Sequence, residues 1–244
     1  MDLVTTGIAL LILVAVTVSI VGLLRLEQPW LQPWAILRAV IQLGLLSIIL
    51  GGAITSFVWV ALFLAVMVVA ATWTVHRRLS LRIGAIPHVA TTIALSAAVP
   101  IGLLFATHSI EPSPRYLLAV GGIVVGGAMT AATLMGRAFT VSLRSSRDQI
   151  EGWLALGATP RRSVRDSVRE AASTALVPAT DQTRTTGLVT LPGAFVGAVF
   201  AGASTIDAAQ FQLLVLAAVL CAGALTIALF TWFFGAPTTI PIAS

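Results

Sequence analysis

The sequence predicts an all-α fold: a polytopic helical membrane protein of about seven transmembrane helices, with the N-terminus outside and the C-terminus cytoplasmic. Three observations predict it. Hydrophobic residues fill 58% of the 244 positions and charged residues only 9%, against about 25% charged in an ordinary soluble domain; mean hydropathy is +1.01. Apolar runs recur, each near the roughly twenty helical residues that cross about 30 Å of hydrocarbon. The arginines gather in a few segments between those runs.

The first run, residues 3–24, is longer than the apolar core of a cleavable signal, and Asp2 stands where a basic n-region belongs, so it reads as the first span. Further spans are expected at 35–54, 57–75, 89–107 and 116–139, then at 186–203 and 211–234. The second and third are nearly continuous, with Thr55 and Ser56 marking the turn, and a six-span count with a re-entrant piece is the alternative. Arg25 and Arg38 flank the first loop, Arg77, Arg78 and Arg82 follow the third span, and seven arginines between Arg137 and Arg169 follow the fifth. With seven spans all three loops share one side, and the excess of arginine makes that side cytoplasmic. The opposite loops hold only Glu111, Arg115 and Asp207. The chain reads as one transmembrane domain, residues 1–244, with a polar cytoplasmic segment at 141–180 and a multi-pass location in a cell's plasma membrane.

Within that segment, residues 147–176 are the most informative stretch. Ile150, Trp153 and Leu154 form a stripe at i, i+3 and i+4. Gly157 follows as a helix-ending residue. Thr159 offers an N-cap hydroxyl and Pro160 suits the first helical position, where its missing N–H costs nothing. Val164, Val168, Ala172 and Ala175 make a second stripe, with Arg161, Arg162, Arg165, Asp166 and Arg169 solvated beside it, and Pro178 is expected to end or kink that helix. Two readings fit: a helical hairpin lying on the anionic leaflet, or a docking helix whose Trp153, among small residues, enters a partner's groove.

Composition and spacing also exclude functions. All fourteen cations are arginine and cluster as topology determinants, so a net charge of +5 does not point to nucleic acid. The single cysteine, Cys221, lies in an apolar run and makes neither an internal disulfide nor a cysteine metal site. His76, His88 and His108 are dispersed, Met129 and Met135 do not closely share a helical face, and no nucleophile motif or paired carboxylates mark a catalytic centre. None of the nine acids falls at the middle of an expected span, which speaks against an ion-coupled secondary transporter.

Several polar groups lie near or within spans. Arg38 and Gln42 are four apart on one face; Arg38 is a functional candidate by depth, or snorkels to the interface. Asp181 and Arg184, with Gln182 between them, read as a structural or gating pair at the cytoplasmic mouth. Gly187 to Gly193, with Pro192, breaks the sixth span, which is tolerated where a helix faces protein or a water-filled cavity. Gly122 with Gly126, and Gly193 with Gly197, have the small-xxx-small spacing of close helix packing.

The run IEGWLALGATPRRSVRDSVREAA resembles the cytoplasmic coupling segment of ABC-transporter permeases. With RAVIQLG (residues 38–44), GGAMTAATL (126–134) and the ordered blocks ALGAT, DQTR and GLVTLPG, most of the chain, from about Arg38 to Phe234, is similar to the Fet-type iron-exporter permease family, which includes plant aluminium-tolerance membrane subunits. The resemblance implies a permease subunit, not itself an enzyme, that exports a metal ion or small solute. No GxxxxGK[ST] phosphate loop occurs in the chain, so ATP and Mg²⁺ are expected in a separate cytoplasmic ATPase subunit and no cofactor in this one. Glu151, Trp153, Leu156, Gly157, Ala158 and Thr159 are the residues expected to meet that ATPase, and two permeases are expected to pair. Related sequences often carry Met-Met-Thr and Gly-Gln after the LPG; here Ala194, Phe195 and Val196, then Gly197 and Ala198, stand instead. The thioethers that favour soft metals are therefore missing at that place.

Overall fold

The computed structural model describes residues 3–25, 30–53 and 56–237, and every regular element in them is helical. Asp2, Ile54 and Thr55, on which the expected chain start and the turn between the second and third spans rest, lie outside the described residues. The chain divides into two compact units, Met1–Thr55 and Ser56–Ser244.

The first unit is a helix pair, α1 (Leu3–Leu23) and α2 (Leu31–Ala53), packed against each other. The second unit begins with α3 (Phe57–Arg78), a 3-10 turn at Ile83–Ala85 and α4 (Ile86–Ala106). Next come the long α5 (Pro114–Ser145), α6 (Arg147–Ala155), α7 (Pro160–Ser163), α8 (Arg165–Thr185), α9 (Gly193–Phe200) and α10 (Thr205–Phe234). Five helices are long and apolar enough to span a bilayer: α1, α3, α4 with its preceding turn, α5 and α10. The expected all-α polytopic architecture is present.

Two boundaries differ in a way that matters for function. The sixth span was expected at 186–203, but there the helix is only the eight residues of α9, about 12 Å at 1.5 Å per residue. Residues 186–192 before it are turn and irregular backbone, and α8, most of which was expected in the polar cytoplasmic segment 141–180, packs along α5 and α10. Pro178 does not end it: α8 continues through the proline to Thr185. A mid-helix proline removes one hydrogen bond, and here the burial of Ala171 and Ala175 against the bundle outweighs that loss.

α5 is the axis of the second unit. At 32 residues it is about 48 Å long, and it packs against α3, α4, α8 and α10. Val124, Ala128 and Met135 of α5 share one buried core with Val75 of α3, Ile93 of α4, Ala175 of α8 and Ala222 of α10. Lipid supplies no hydrophobic drive between helices, so close approach over small residues replaces it. A methyl group added at Gly121 would meet the Leu64 side chain, and one at Gly136 would meet Leu79. Gly122 and Gly126, expected to pack closely, do not serve that purpose: Gly122 has ordinary contact with Met67 and nothing stands within 4 Å of a methyl at Gly126. On α3 the exposed Val58, Leu62, Val66 and Val69 lie along one helical face, the apolar exterior a bilayer requires.

Candidate functional site

One end of the second unit collects most of its arginines, from Arg77 to Arg82 and from Arg137 to Arg169. There the start of α4 meets the end of α10 through edge contacts of His88 with Phe233 and Phe234, Leu79 after α3 lies against Gly136 of α5, and α7 reaches the end of α10 through Arg161. The turn after α6 follows from its sequence. Gly157 adopts φ +85°, its N–H donates to the Leu154 carbonyl at 2.9 Å, and the Ala158 N–H donates to the Trp153 carbonyl at 3.0 Å. This paired arrangement is the Schellman closure, for which glycine is the low-strain residue. Thr159 has the extended backbone of an N-cap, but its hydroxyl caps nothing; Pro160 opens α7 at the expected position.

The turn leaves a projecting surface. Glu151, Trp153, Leu154, Leu156, Gly157 and Thr159 are exposed, Leu156 at 83%, and Ala158 is half-buried. Ile150 anchors the segment from below at 2% exposure. Glu151 is engaged within its own helix: the Arg147 Nε donates to its Oε1 at 2.7 Å. That hydrogen bond and the carboxylate's charge raise the Arg147 pKa above its ordinary value.

Two contacts missed at the level of sequence fasten this surface to the bundle. The Arg161 Nη2 donates to the Trp232 carbonyl at 2.7 Å, and its guanidinium lies 5.3 Å from the centre of the Trp232 ring. Arg161, expected to be solvated, thus caps the C-terminal end of α10, where unpaired carbonyls favour a cation. The Ser142 hydroxyl donates to Glu170 Oε2 at 2.6 Å, tying the end of α5 to the start of α8.

From Glu170 onward α8 runs antiparallel to α5, and Gln182 reaches the level of Gly126 and Thr130, in the middle of α5. There α5, α8, the start of α9 and α10 line a half-open cavity of about 460 Å³. Gln182, Pro192 and Gly193, expected at a gate, line it together, joined by Gln212 of α10, which the sequence reading missed. Gln212 is 6% exposed and its Oε1 is buried with no hydrogen-bond partner. A glutamine eight residues inside the last helix was a readable signal, since an amide buried in hydrocarbon needs a partner. None of the residues lining the cavity is charged.

The other expected gate residues are placed differently. Asp181 and Arg184 are exposed, stand beside Gln182 without lining the cavity, and form no ion pair with each other. Asp181 therefore lies near the level of the middle of α5, on the exposed side of α8. Arg38 and Gln42 belong to α2 in the first unit, four apart and both exposed. Among the described residues no group of three or more histidine, cysteine or acidic side chains is arranged to hold a metal.

Comparison with known proteins places this arrangement. Residues 4–237 match the family described as "Uncharacterised protein family (UPF0014)". Over 205 residues the chain is 34% identical to the UPF0014 membrane protein STAR2 of Oryza sativa subsp. japonica, covering 83% of this chain and 71% of that one. It is 30% identical to the "Probable iron export permease protein FetB" of Escherichia coli strain K12, covering 84% and 80%. It is 29% identical to the protein ALUMINUM SENSITIVE 3 of Arabidopsis thaliana, covering 84% and 75%. No solved structure matches the chain. A match across nearly all of the helical bundle, with the Fet-type permease among the relatives, makes this chain a member of the UPF0014 family of multi-pass membrane proteins.

Proposed function

We propose that the chain is the membrane-spanning permease subunit of an ABC transporter, exporting a small solute or metal ion with energy from ATP and Mg²⁺ bound in a separate cytoplasmic ATPase subunit. The observation that carries this reading is the projecting turn Glu151–Thr159, coupled through Arg161 to the end of α10 and through α8 to the central cavity. Displacement of that turn moves helices that line the cavity, as ATP-driven closure of a docked partner requires. The arginine-rich end is the cytoplasmic end in this reading, the membrane is the inner or plasma membrane, and two permeases pair around two ATPases. The relative named as an iron export permease supports the direction of transport.

The test is affinity purification of the tagged permease from its own membranes. An ABC ATPase is expected to co-purify and to be lost with Glu151→Arg or Gly157→Trp, while the amount of inserted permease stays unchanged. Retention of the ATPase by both variants would remove this surface from the interface.

A second reading, an ion-coupled secondary transporter, is favoured by the placement of Asp181 level with the middle of α5. Proton-driven uptake or efflux in liposomes holding the permease alone would establish it in place of the first.

A further inference from the structure

A second hollow lies at the arginine-rich end, beside the projecting turn. It is a half-open cleft of about 260 Å³ between α6 and the start of α8, against about 30 Å³ for one water in the liquid. Gln149 and Trp153 wall it from α6, with the buried Ile150 between them, and Asp166, Ser167 and Glu170 wall it from α8. Asp166 and Glu170 are the only charged groups among the described residues that line it, although Arg161, Arg162, Arg165 and Arg169 stand on the same stretch of chain.

Three features of this wall call for a cation that carries hydrogen-bond donors. The two carboxylates are four residues apart on one helix, where like charges destabilise it. Neither is neutralised, since the only ion pair among the described residues joins Arg147 to Glu151. The Ser142 hydroxyl uses Oε2 of Glu170 at 2.6 Å; Oε1 and both oxygens of Asp166 have no partner among the described residues. Ser167 is 4% exposed, and its hydroxyl makes no hydrogen bond among the described residues. Unlike the Ser96 and Thr226 hydroxyls it is not sealed inside the bundle, and it belongs to the cleft wall, so an N–H donor brought there satisfies it. Trp153, 43% exposed, adds an indole, whose face attracts a cation. A bare divalent cation takes about six oxygens or more and draws little from an aromatic wall. A guanidinium uses all three features: its N–H fork reaches carboxylate and hydroxyl oxygens while its plane stacks on the indole.

We propose that this cleft receives an arginine side chain of the cytoplasmic ATPase, held between Asp166 and Glu170 of α8 and Trp153 of α6. The inference rests on the permease reading and adds a second point of grip to it. The turn Glu151–Thr159 leaves from α6, the helix that also supplies Trp153 to the cleft, so one partner surface covers both. An arginine seated there ties α6 to α8, and α8 lines the central cavity at Ala175 and Gln182. Motion of the partner then reaches that cavity along α8 as well as through Arg161.

The test uses the permease with the ATPase that co-purifies from its own membranes, stripped and rebound at rising concentration. Asp166→Asn combined with Glu170→Gln keeps the size of both side chains and an acceptor for Ser142 while removing both charges. It is expected to raise the Kd for the ATPase about tenfold, the loss of one well-placed charge-assisted contact, with the amount of inserted permease unchanged. Asp148→Asn removes a charge from α6 outside the cleft and is expected to leave that Kd as it is. In a second arm Gln149→Cys, in a Cys221→Ala background, is treated with a maleimide–phenylglyoxal reagent, which joins a thiol to a guanidinium, and a cross-link to an arginine of the ATPase is expected. An unchanged Kd for the double variant, an equal rise with Asp148→Asn, or no cross-link to an ATPase arginine overturns the proposal. If Gly157→Trp loses the ATPase while the double variant binds it fully, the permease reading stands and the cleft alone is refuted. If no ATPase co-purifies with the unsubstituted permease, both fall together.

Discussion

Single residues shape the wall of the cavity, and two of them stand out by what they lack. Gln212 has a buried oxygen without a donor, in a helix otherwise built of apolar side chains. Gly126 has no side chain where the wall is open, with nothing within 4 Å of an added methyl. Its spacing from Gly122 suggested helix packing, but contact is made at Gly121, Gly127 and Gly136 instead. Neighbouring glycines on one helix point to different faces, so spacing along the chain does not say which of them meets another helix. Gly126→Leu is expected to insert and fold normally, since replacing a mid-helix glycine favours the helix by up to about 1 kcal/mol. It fills the cavity, so transport is expected to fall well below that of the unsubstituted permease. Expression, helicity and transport measured on one preparation check this.

At the scale of elements, the decisive feature is the junction of α6, α7 and α8 with the end of α10. The Schellman turn at Gly157 gives α6 a fixed stop, and it was legible because glycine after a helical stripe has a local cause. The fastening of the next turn was not legible. Arg161 meets Trp232 across 71 residues, and Ser142 meets Glu170 across 28. A charge-assisted hydrogen bond and a cation–π contact at such a partly exposed position each contribute on the order of 1 kcal/mol. Arg161→Ala is therefore expected to leave insertion and ATPase co-purification intact, while transport per ATP hydrolysed falls about fivefold, the factor that about 1 kcal/mol of coupling carries. Arg161→Lys keeps a charge near the α10 carbonyl and is expected to recover part of it. Parallel assays of hydrolysis and transport in the reconstituted complex distinguish this from instability, which lowers both together.

At the scale of the whole molecule, the second unit is a bundle around α5 in which irregular backbone separates α8 from the short α9. The break at residues 186–192 puts the end of α8 and the start of α9 at one cavity, a geometry tolerated at depth only where backbone faces protein or water. It also brings Asp181 to mid-bundle level. Under the ATP-driven reading Asp181→Asn is expected to leave the pH dependence of transport unchanged, whereas under the ion-coupled reading transport becomes independent of the proton gradient; liposome flux across pH decides. The sequence by itself determined the membrane class, the all-α fold, most of the apolar spans, the collection of arginines at one end and the turn at Gly157. Each of these arises from hydropathy, charge or backbone preference within a few residues. Only the tertiary structure decided that α8 joins the bundle despite its polar residues and Pro178. It alone decided that α9 is too short to span by itself, that Arg161 caps α10, and that Gln182, Gly193 and Gln212 face one cavity. Those outcomes depend on which helix face meets which neighbour, a pairing energy between residues tens of positions apart that local pattern does not record.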